Sequence, residues 1–382
     1  MRTAVNASRI IVGTLFIISG LVKANDPLGL SYKMQEFFEV WNASLTSSSF
    51  FAKNFLIQAF HFLNDYSLAL SISIITLEIL AGVALLIGWR KKWILNLLFL
   101  LIVFFTFLTA YAYWSGKFKN CGCFGDCLPI SPLTSFLKDI GLLALILFLL
   151  FSQRYIQPIF SKRTQAITLL ASLLFTLGLQ WYVLNYLPLA DCLPFKKGAS
   201  IPEKMKIPAN AIQDSFAMKF IYEKEGKRSE FGPEELPADL NNYTFIDRTQ
   251  KLVRKGNAEP PIKGFSLMGI SGSDSTSSIL QLPKVILLFC EYFKDSSPGW
   301  IDDFKEVRKK AKQNNIPVFI ITPDVSATQQ LFSKNNLSDV AIFSCDNTAV
   351  KTAARTNPTI FLIEEGIVKK KYGYHQMEQI FP

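Results

Sequence analysis

The reactive residue types of this chain are concentrated in one short segment. Three of its six cysteines, Cys121, Cys123 and Cys127, lie in the segment NCGCFGDC. Thiol–disulfide exchange requires an accessible thiolate and a second cysteine that resolves the mixed disulfide. The segment supplies both, and Cys192 in the later segment ADCLPF is a further candidate resolving cysteine.

The spacing of Cys121 and Cys123 favours a disulfide that oxidises other thiols. The Cα atoms of ordinary disulfides lie about 4.4–6.8 Å apart, and two cysteines separated by one residue reach this geometry only with strain. A strained disulfide is more easily reduced. Gly122 permits the backbone angles that such a small ring requires, and Lys117 and Lys119 would stabilise a nearby thiolate.

Two other interpretations of these cysteines stand beside exchange chemistry. One is a structural disulfide, for example between Cys127 and Cys192, that takes no part in turnover. The other is a zinc site, which fits less well. Structural zinc takes four ligands, and the two histidines of the chain, His61 and His375, are distant in sequence from the three thiols. We therefore predict no metal site.

Membrane-spanning helices are the elements that must position this segment. Half of the 382 residues are hydrophobic, and up to about residue 190 they form long runs. A helix needs about 20 apolar residues to cross a bilayer. We predict five spans near residues 8–24, 68–89, 93–114, 134–153 and 165–189.

Basic residues between the predicted spans indicate the orientation. Arg90, Lys91 and Lys92 separate the second and third spans, and basic loops lie on the cytoplasmic side of membranes. The N-terminus is then inside, while the cysteine segment and all residues after the fifth span are outside, where disulfides persist. Residues 1–24 also fit a cleavable signal peptide, whose removal would not change the orientation of the other spans.

The net charge of +10 does not indicate a nucleic-acid partner. The first 190 residues carry a balance of +7 and the remaining residues a balance of +3. The excess therefore lies mostly beside the apolar runs, as a topology signal does. The predicted partners are membrane lipid and an extracytoplasmic protein or peptide.

Charged residues in or beside the spans are further candidates. Glu78 lies inside the second predicted span, where a carboxylate is costly and a functional candidate by default. It fits a proton carrier, and it also fits a structural hydrogen bond to a neighbouring helix. Lys23 and Asp26 are expected to pair at the outer end of the first span. Residues 31–41 are expected to form an amphipathic helix on the membrane surface.

Beyond the fifth span, the sequence predicts a β-rich connecting segment over 191–265 and an α/β domain over 266–382. The segment FAMKFIYEKEGKRSEF is hairpin-like. Cys290 and Cys345 end two predicted strands and are expected to be buried as small hydrophobic residues. Within the α/β domain, strands are predicted at 284–290, 316–322 and 340–346, helices at 300–315 and 347–356, and a hairpin from 357.

The first half resembles the DoxX/MauE family of small membrane proteins. The resemblance covers about residues 8–155 and is carried by FIISGLVKANDPLG, LEILAGVALLIGW and, most specifically, NCGCFGD. It implies a four-helix bundle, similar to that of vitamin K epoxide reductase, to which this chain adds a fifth span. It also implies disulfide formation in an extracytoplasmic partner, places the family's paired cysteines on Cys121 and Cys123, and suggests a quinone as electron acceptor.

The last part of the chain resembles the thioredoxin-like fold. The order of strands and helices over 266–382 matches, and Asn357-Pro358-Thr359 stands where such domains have a cis-proline. Redox-active members carry Cys-x-x-Cys after the first strand, but this chain has FKDSSPGW. We therefore predict a domain without dithiol activity that binds a protein or peptide beside Pro358, in a groove lined by Phe293 and Trp300. The alternative is that residues 191–265 fill this groove.

The sequence as a whole predicts an α-helical membrane bundle followed by an α/β thioredoxin-like domain, in the inner membrane of a bacterial envelope. The leading hypothesis is a thiol–disulfide redox protein whose catalytic residues are Cys121, Cys123, Cys127, Cys192 and Glu78. The alternative is a membrane-anchored assembly or chaperone-like factor without enzymatic activity, which the missing Cys-x-x-Cys motivates.

Overall fold

A helical half, residues 1–190, precedes a C-terminal half, residues 191–381, that contains two β-sheets. The computed structural model describes residues 1–118, 125, 127–128, 130–212, 215–224, 226–237, 239–254, 256, 258–291 and 299–381.

Five helices among the described residues are long and apolar enough to cross a membrane. Each of them covers most of one predicted span. Two further helices, α2 (Pro27–Thr46) and α3 (Lys53–Asp65), connect the first span to the second. The five candidate spans are α1 (Arg2–Ala24), α4 (Ser67–Ile87), α5 (Lys91–Ser115), α6 (Pro132–Phe151) and α7 (Lys162–Tyr186).

The sequence at the helix ends explains where the spans begin and end. The side chain of Ser131 accepts a hydrogen bond from the Thr134 backbone N–H at the start of α6, and Ser161 does the same for α7. Such caps satisfy one of the free N–H groups at a helix start. α4 ends at Gly88, whose positive φ of 74° is a left-handed conformation that glycine adopts without steric cost.

Small residues bring α1 and α4 together. A methyl group at Gly82 would lie 2.8 Å from the carbonyl oxygen of Gly13, and one at Gly20 would lie 2.5 Å from Ile79. Helices in membranes associate through close contacts of this kind. At the start of α1, the buried Arg9 guanidinium donates to the carbonyl oxygens of Leu85 and Gln157.

The two ends of the bundle differ in what they carry. The basic loops lie at the end where Arg9 contacts Gln157 and Lys91 donates to the carbonyl oxygen of Ile156. At the opposite end, Asn25 exchanges two hydrogen bonds with the backbone of Ala190, of 2.9 and 3.0 Å. The C-terminal half contacts this second end.

A five-stranded mixed sheet forms the centre of the C-terminal half. Its strand order is β6-β5-β4-β7-β8, with β4 parallel to β5 and antiparallel to β7. Helices α10 (Ile301–Gln313), α11 (Val325–Lys334) and α12 (Asn347–Ala353) connect the strands. The strands are β4 (Val285–Phe289), β5 (Val318–Thr322), β6 (Ala341–Ser344), β7 (Thr359–Glu364) and β8 (Ile367–Gly373).

Strand β4 is buried on both faces, as a central strand with a continuous apolar run should be. Leu287 and Phe289 pack into one hydrophobic cluster, and Ile286 and Leu288 into the other. Phe195, before the predicted start of this domain, is fully buried in the first cluster. The core of the α/β region therefore includes residues from both ends of the predicted connecting segment, among them Phe195 and Phe265.

A second, three-stranded antiparallel sheet lies between these core segments. Its order is β2-β1-β3, formed by β1 (Ser215–Lys224), β2 (Lys227–Phe231) and β3 (Thr244–Arg254). The predicted hairpin corresponds to β1 and β2. Tyr222 contacts the rings of Phe231 and Phe245 on one face.

Candidate functional site at the junction of the two halves

A disulfide joins Cys127 to Cys192 across 65 positions of sequence. The Cα atoms are 4.9 Å apart, within the ordinary range for disulfides. The bond links the segment before α6 to the segment after α7. This pairing is one of the alternatives that the sequence analysis leaves open. Cys192 is exposed and Cys127 is partly exposed, so a thiol from solution can approach the sulfur of Cys192.

Polar contacts from both halves of the protein hold the residues just before Cys192. Ala190, two residues before Cys192, is bonded to Asn25 at the end of α1. Asp191 accepts a 2.7 Å hydrogen bond from Lys371 of β8. The disulfide therefore lies where α1, the segment after α7 and the five-stranded sheet meet.

Cys121 and Cys123 lie outside the described residues, but the described residues on either side are attached to the helical half. Phe118 is buried and stacks on Phe37 of α2 with ring centroids 4.1 Å apart. Gly125 lies against Val22 near the end of α1. The cysteine segment therefore leaves and rejoins the described chain at the same end of the bundle as the disulfide.

A cleft of about 670 Å³ runs between α2 and α12 and has Cys192 in its wall. Helix α2 contributes the exposed Glu36 and Glu39, and α12 contributes Thr348 and Thr352. Its polar lining and volume suit an extended segment of another protein better than a small apolar ligand.

The buried carboxylate of Glu78 pairs with Lys23. The Lys23 Nζ atom lies 2.5 Å from Glu78 Oε1 and 4.3 Å from the centre of the Phe105 ring, and Ser19 donates to Glu78 Oε2. The expected pairing of Lys23 with Asp26 is wrong. Asp26 lies at the start of α2, where it binds Arg355 of the C-terminal half instead.

A second buried carboxylate, Asp139, was missed in the sequence. It lies within α6, accepts a 3.1 Å hydrogen bond from Thr109 of α5, and pairs with Lys138 at 2.9 Å. Its position inside an apolar span is the same signal that identified Glu78. Both carboxylates line one cavity in the bundle.

The predicted peptide groove lies close to the helical half. The Asn357–Pro358 bond is cis, as the sequence predicts, and Pro358 is buried. Glu291, after β4, donates its backbone N–H to Asn357 and accepts a 2.7 Å hydrogen bond from Tyr32 of α2. The cis-proline end of the sheet is therefore docked on α2.

The two aromatic residues predicted to line that groove have different outcomes. Trp300 is 7% exposed and packs against Phe304 and Phe332 in the core, which leaves it little surface for a partner. Phe293 lies outside the described residues, so its role stays a prediction.

Cys290 and Cys345 are buried, as the sequence predicts. Burial raises the pKa of the Cys290 thiol, and it raises the pKa of Cys345 to about 11. Neither group supplies an appreciable amount of thiolate near neutral pH. Neither Cys290 nor Cys345 is therefore a candidate for exchange chemistry.

Residues 1–152 match the family model of the methylamine utilisation protein MauE. This part of the chain is a MauE-like membrane region. Its apolar helices make the chain a multi-pass membrane protein. A second model, a domain of unknown function called DUF8463, matches residues 216–255, which contain nearly all of the three-stranded sheet. The search of curated proteins found no match.

Proposed function

We propose that the protein is a thiol–disulfide oxidoreductase of the bacterial envelope, acting on thiols of extracytoplasmic proteins. The observation that carries this proposal is the exposed Cys127–Cys192 disulfide in the wall of a cleft between the two halves. A buried disulfide would only stabilise the fold, whereas exposed disulfides are the ones open to exchange.

The arrangement of charges supports an outer location for this site. The basic loops lie at the end of the bundle opposite the disulfide. Basic loops face the cytoplasm, so the disulfide, the cleft and the C-terminal half face the extracytoplasmic side. Disulfides form and persist in that compartment.

The proposed reaction is a two-step exchange. A partner thiolate attacks the exposed sulfur of Cys192, and the bond to Cys127 breaks, with Cys127 leaving as a thiolate. A second partner thiolate then attacks the mixed disulfide and releases Cys192. The partner gains one disulfide, and the pair Cys127 and Cys192 gains the two electrons. Cys121 and Cys123, nearby in sequence, are the candidate disulfide that takes these electrons onward.

A quinone acceptor does not fit the cavity in the bundle. The cavity beside Glu78 has a volume of about 20 Å³, far below the several hundred cubic ångströms of ordinary ligand sites. No step of the proposed reaction uses a quinone. The proposal needs only the exchange of disulfides between protein cysteines.

The five-stranded sheet supports a thioredoxin-like C-terminal domain that positions a partner. The strand order and the cis-proline before β7 fit that fold. FKDSSPGW supplies no thiol at the position of the reactive pair. We propose that this domain contributes one wall of the cleft and performs no exchange of its own.

A second candidate function is a non-enzymatic assembly factor. The disulfide spans 65 positions of sequence that contain the two candidate spans α6 and α7, and a bond of this kind stabilises a fold by about 2–4 kcal/mol without turnover. In that case the cleft binds a partner and the cysteines stay oxidised.

Trapping of mixed disulfides in cells separates the two candidates. In the Cys127→Ser variant, Cys192 is a thiol that can attack a partner disulfide, which is the reverse of the second step. No Cys127 thiol is then present to resolve the product, so Cys192 should accumulate as a mixed disulfide with partner proteins. The Cys345→Ser variant is the matched control because its thiol is buried. If Cys192 forms no adduct in Cys127→Ser, and the wild-type disulfide stays fully oxidised, the oxidoreductase proposal fails and the assembly factor stands.

A further inference from the structure

Four charged side chains face one cavity inside the helical bundle. Lys23 of α1 pairs with Glu78 of α4, and Lys138 pairs with Asp139, both on α6. The cavity lies between these helices and α5 and has a volume of about 20 Å³. The two carboxylates therefore belong to one site, although they lie on different helices.

This site lies within the hydrocarbon region. Glu78 is eleven residues from the start of α4 and Asp139 seven residues from the start of α6, or about 16 and 10 Å along the helix axes. A bilayer core is about 30 Å thick. Glu78 and Asp139 are each 1% exposed and Lys23 is 3% exposed, so three charges are removed from bulk water.

Helix packing does not require these charges. Gly13, Gly20 and Gly82 already bring α1 and α4 into close contact, and small residues suffice for helix association in membranes. A buried ion pair regains its desolvation cost only in part through its own attraction. Charges kept inside a membrane at such a cost indicate function.

The size of the cavity limits its occupant. A volume of about 20 Å³ admits roughly one water molecule, so the ligands that fit are water and the proton. We propose that Lys23, Glu78, Lys138 and Asp139 form one intramembrane proton-binding site, in which the two carboxylates exchange protons with the outer surface past Lys138. Lys138 has the most exposed of the four side chains, at 24%.

The charges of the site determine how it binds protons. With all four groups ionised the site is neutral, and each proton taken up forms one O–H bond and adds one positive charge. The positive charge added by the first proton therefore opposes the binding of a second one at the other carboxylate. Among the described residues that line the cavity, these four are the charged groups. Two uncharged polar neighbours are Ser19, which lines the cavity, and Thr109 of α5, which donates a hydrogen bond to Asp139.

This inference rests on the geometry of the bundle and does not depend on the cysteines. The site lies beneath the end of the bundle that carries the disulfide, but the disulfide exchange proposed above conserves protons and supplies none to it.

Infrared difference spectroscopy of the full-length protein in lipid nanodiscs tests the proposal. As the pH is lowered, protonated carboxyl bands should appear that are lost in Asp139→Asn or in Glu78→Gln. In Glu78→Gln the remaining Asp139 band should change its midpoint, because the charge of the shared site changes. Asp302→Asn, an exposed carboxylate 87% accessible, is the control and should leave both bands unchanged.

Two results would overturn the proposal: no protonated band from either residue at any pH at which the protein stays folded, or an Asp139 band whose midpoint is the same with and without Glu78. If Asp139→Asn does not fold, Thr109→Val replaces it, because loss of the hydrogen bond to Asp139 should shift the frequency of the Asp139 band while keeping all four charges. Either failure leaves the cysteine-trapping result unaffected, so the two proposals fail separately.

Discussion

The Nε atom of Arg355 donates a hydrogen bond of 2.8 Å to Asp26 Oδ2, across 329 positions of sequence. Arg355 is 5% exposed, and its guanidinium also lies over the ring of Tyr32. Lys351, one turn earlier in the chain, donates a hydrogen bond to Gln35 of α2, the helix that contains Tyr32. These contacts attach the end of α12 to the start of α2, and most of the residues that make them line the cleft that has Cys192 in its wall.

Removing the charge of Asp26 should loosen this attachment. Asp26 also caps α2 by accepting a hydrogen bond from Gly29, and Asn keeps this capping ability. Asp26→Asn therefore removes the ion pair and leaves the helix start intact. Removing the carboxylate partner of a buried guanidinium costs about 3–5 kcal/mol, so hydrogen exchange of the α12 amides should accelerate by about a hundredfold or more.

The matched control for this prediction is Asp302→Asn, which breaks the exposed Asp302–Lys305 pair and should change stability by less than about 0.5 kcal/mol. In the double variant Asp26→Asn with Arg355→Gln, the cost should be smaller than the sum of the single costs. Additive effects would show that the two residues act independently and would contradict the attachment.

Close packing of α1 on α4 should make Gly82 intolerant of a side chain. The Gly82→Ala methyl would lie 2.8 Å from the carbonyl oxygen of Gly13, so the helices must separate, at a cost of about 1–3 kcal/mol. Gly141→Ala on α6 is the control, because among the described residues nothing lies within 4 Å of its added carbon. The thermal midpoint in detergent should fall for Gly82→Ala alone, and equal midpoints would refute this packing.

Local sequence patterns predicted the elements but not the contacts between them. The five spans and strands β4, β5 and β6 are predictable because each is a continuous apolar run, whereas β3, with polar and charged residues throughout, gives no such signal. The partners of Lys23 and Asp26 lie 55 and 329 positions away, and hydropathy holds no information about such pairs. Asp139 is different, because its charge inside a span was visible in the sequence and was missed.

Helix α3 should contact lipid through its aromatic face. Phe55 is 73% exposed and Phe62 is 61% exposed, and in the described chain none of the helix's residues is buried. Aromatic residues collect at the membrane–water interface, and α3 leads directly into the span α4. A photoreactive residue at Phe55 should form lipid adducts, whereas one at Phe37, 3% exposed, should not. Protein adducts in place of lipid at Phe55 would show that α3 is an interface to another chain.

The pair of Lys371 and Asp191, beside the disulfide, should make stability rise with pH in the alkaline range. Burial lowers the pKa of Lys371 from its ordinary value of 10.5, although the Asp191 carboxylate opposes this shift. Between the lowered pKa and about 10.5, the unfolded chain binds more protons than the folded one, so raising the pH through this window favours the folded state. Lys371→Met removes the titrating group, so the thermal midpoint of this variant should rise less with pH in this window than that of the wild type.

The measurement is the thermal midpoint of the wild type and of Lys371→Met against pH. The control is Lys369→Met, which replaces a half-exposed lysine of the same strand. A wild-type curve that falls relative to Lys371→Met across this window would mean that the carboxylate of Asp191 outweighs burial and that Lys371 is charged in the folded protein.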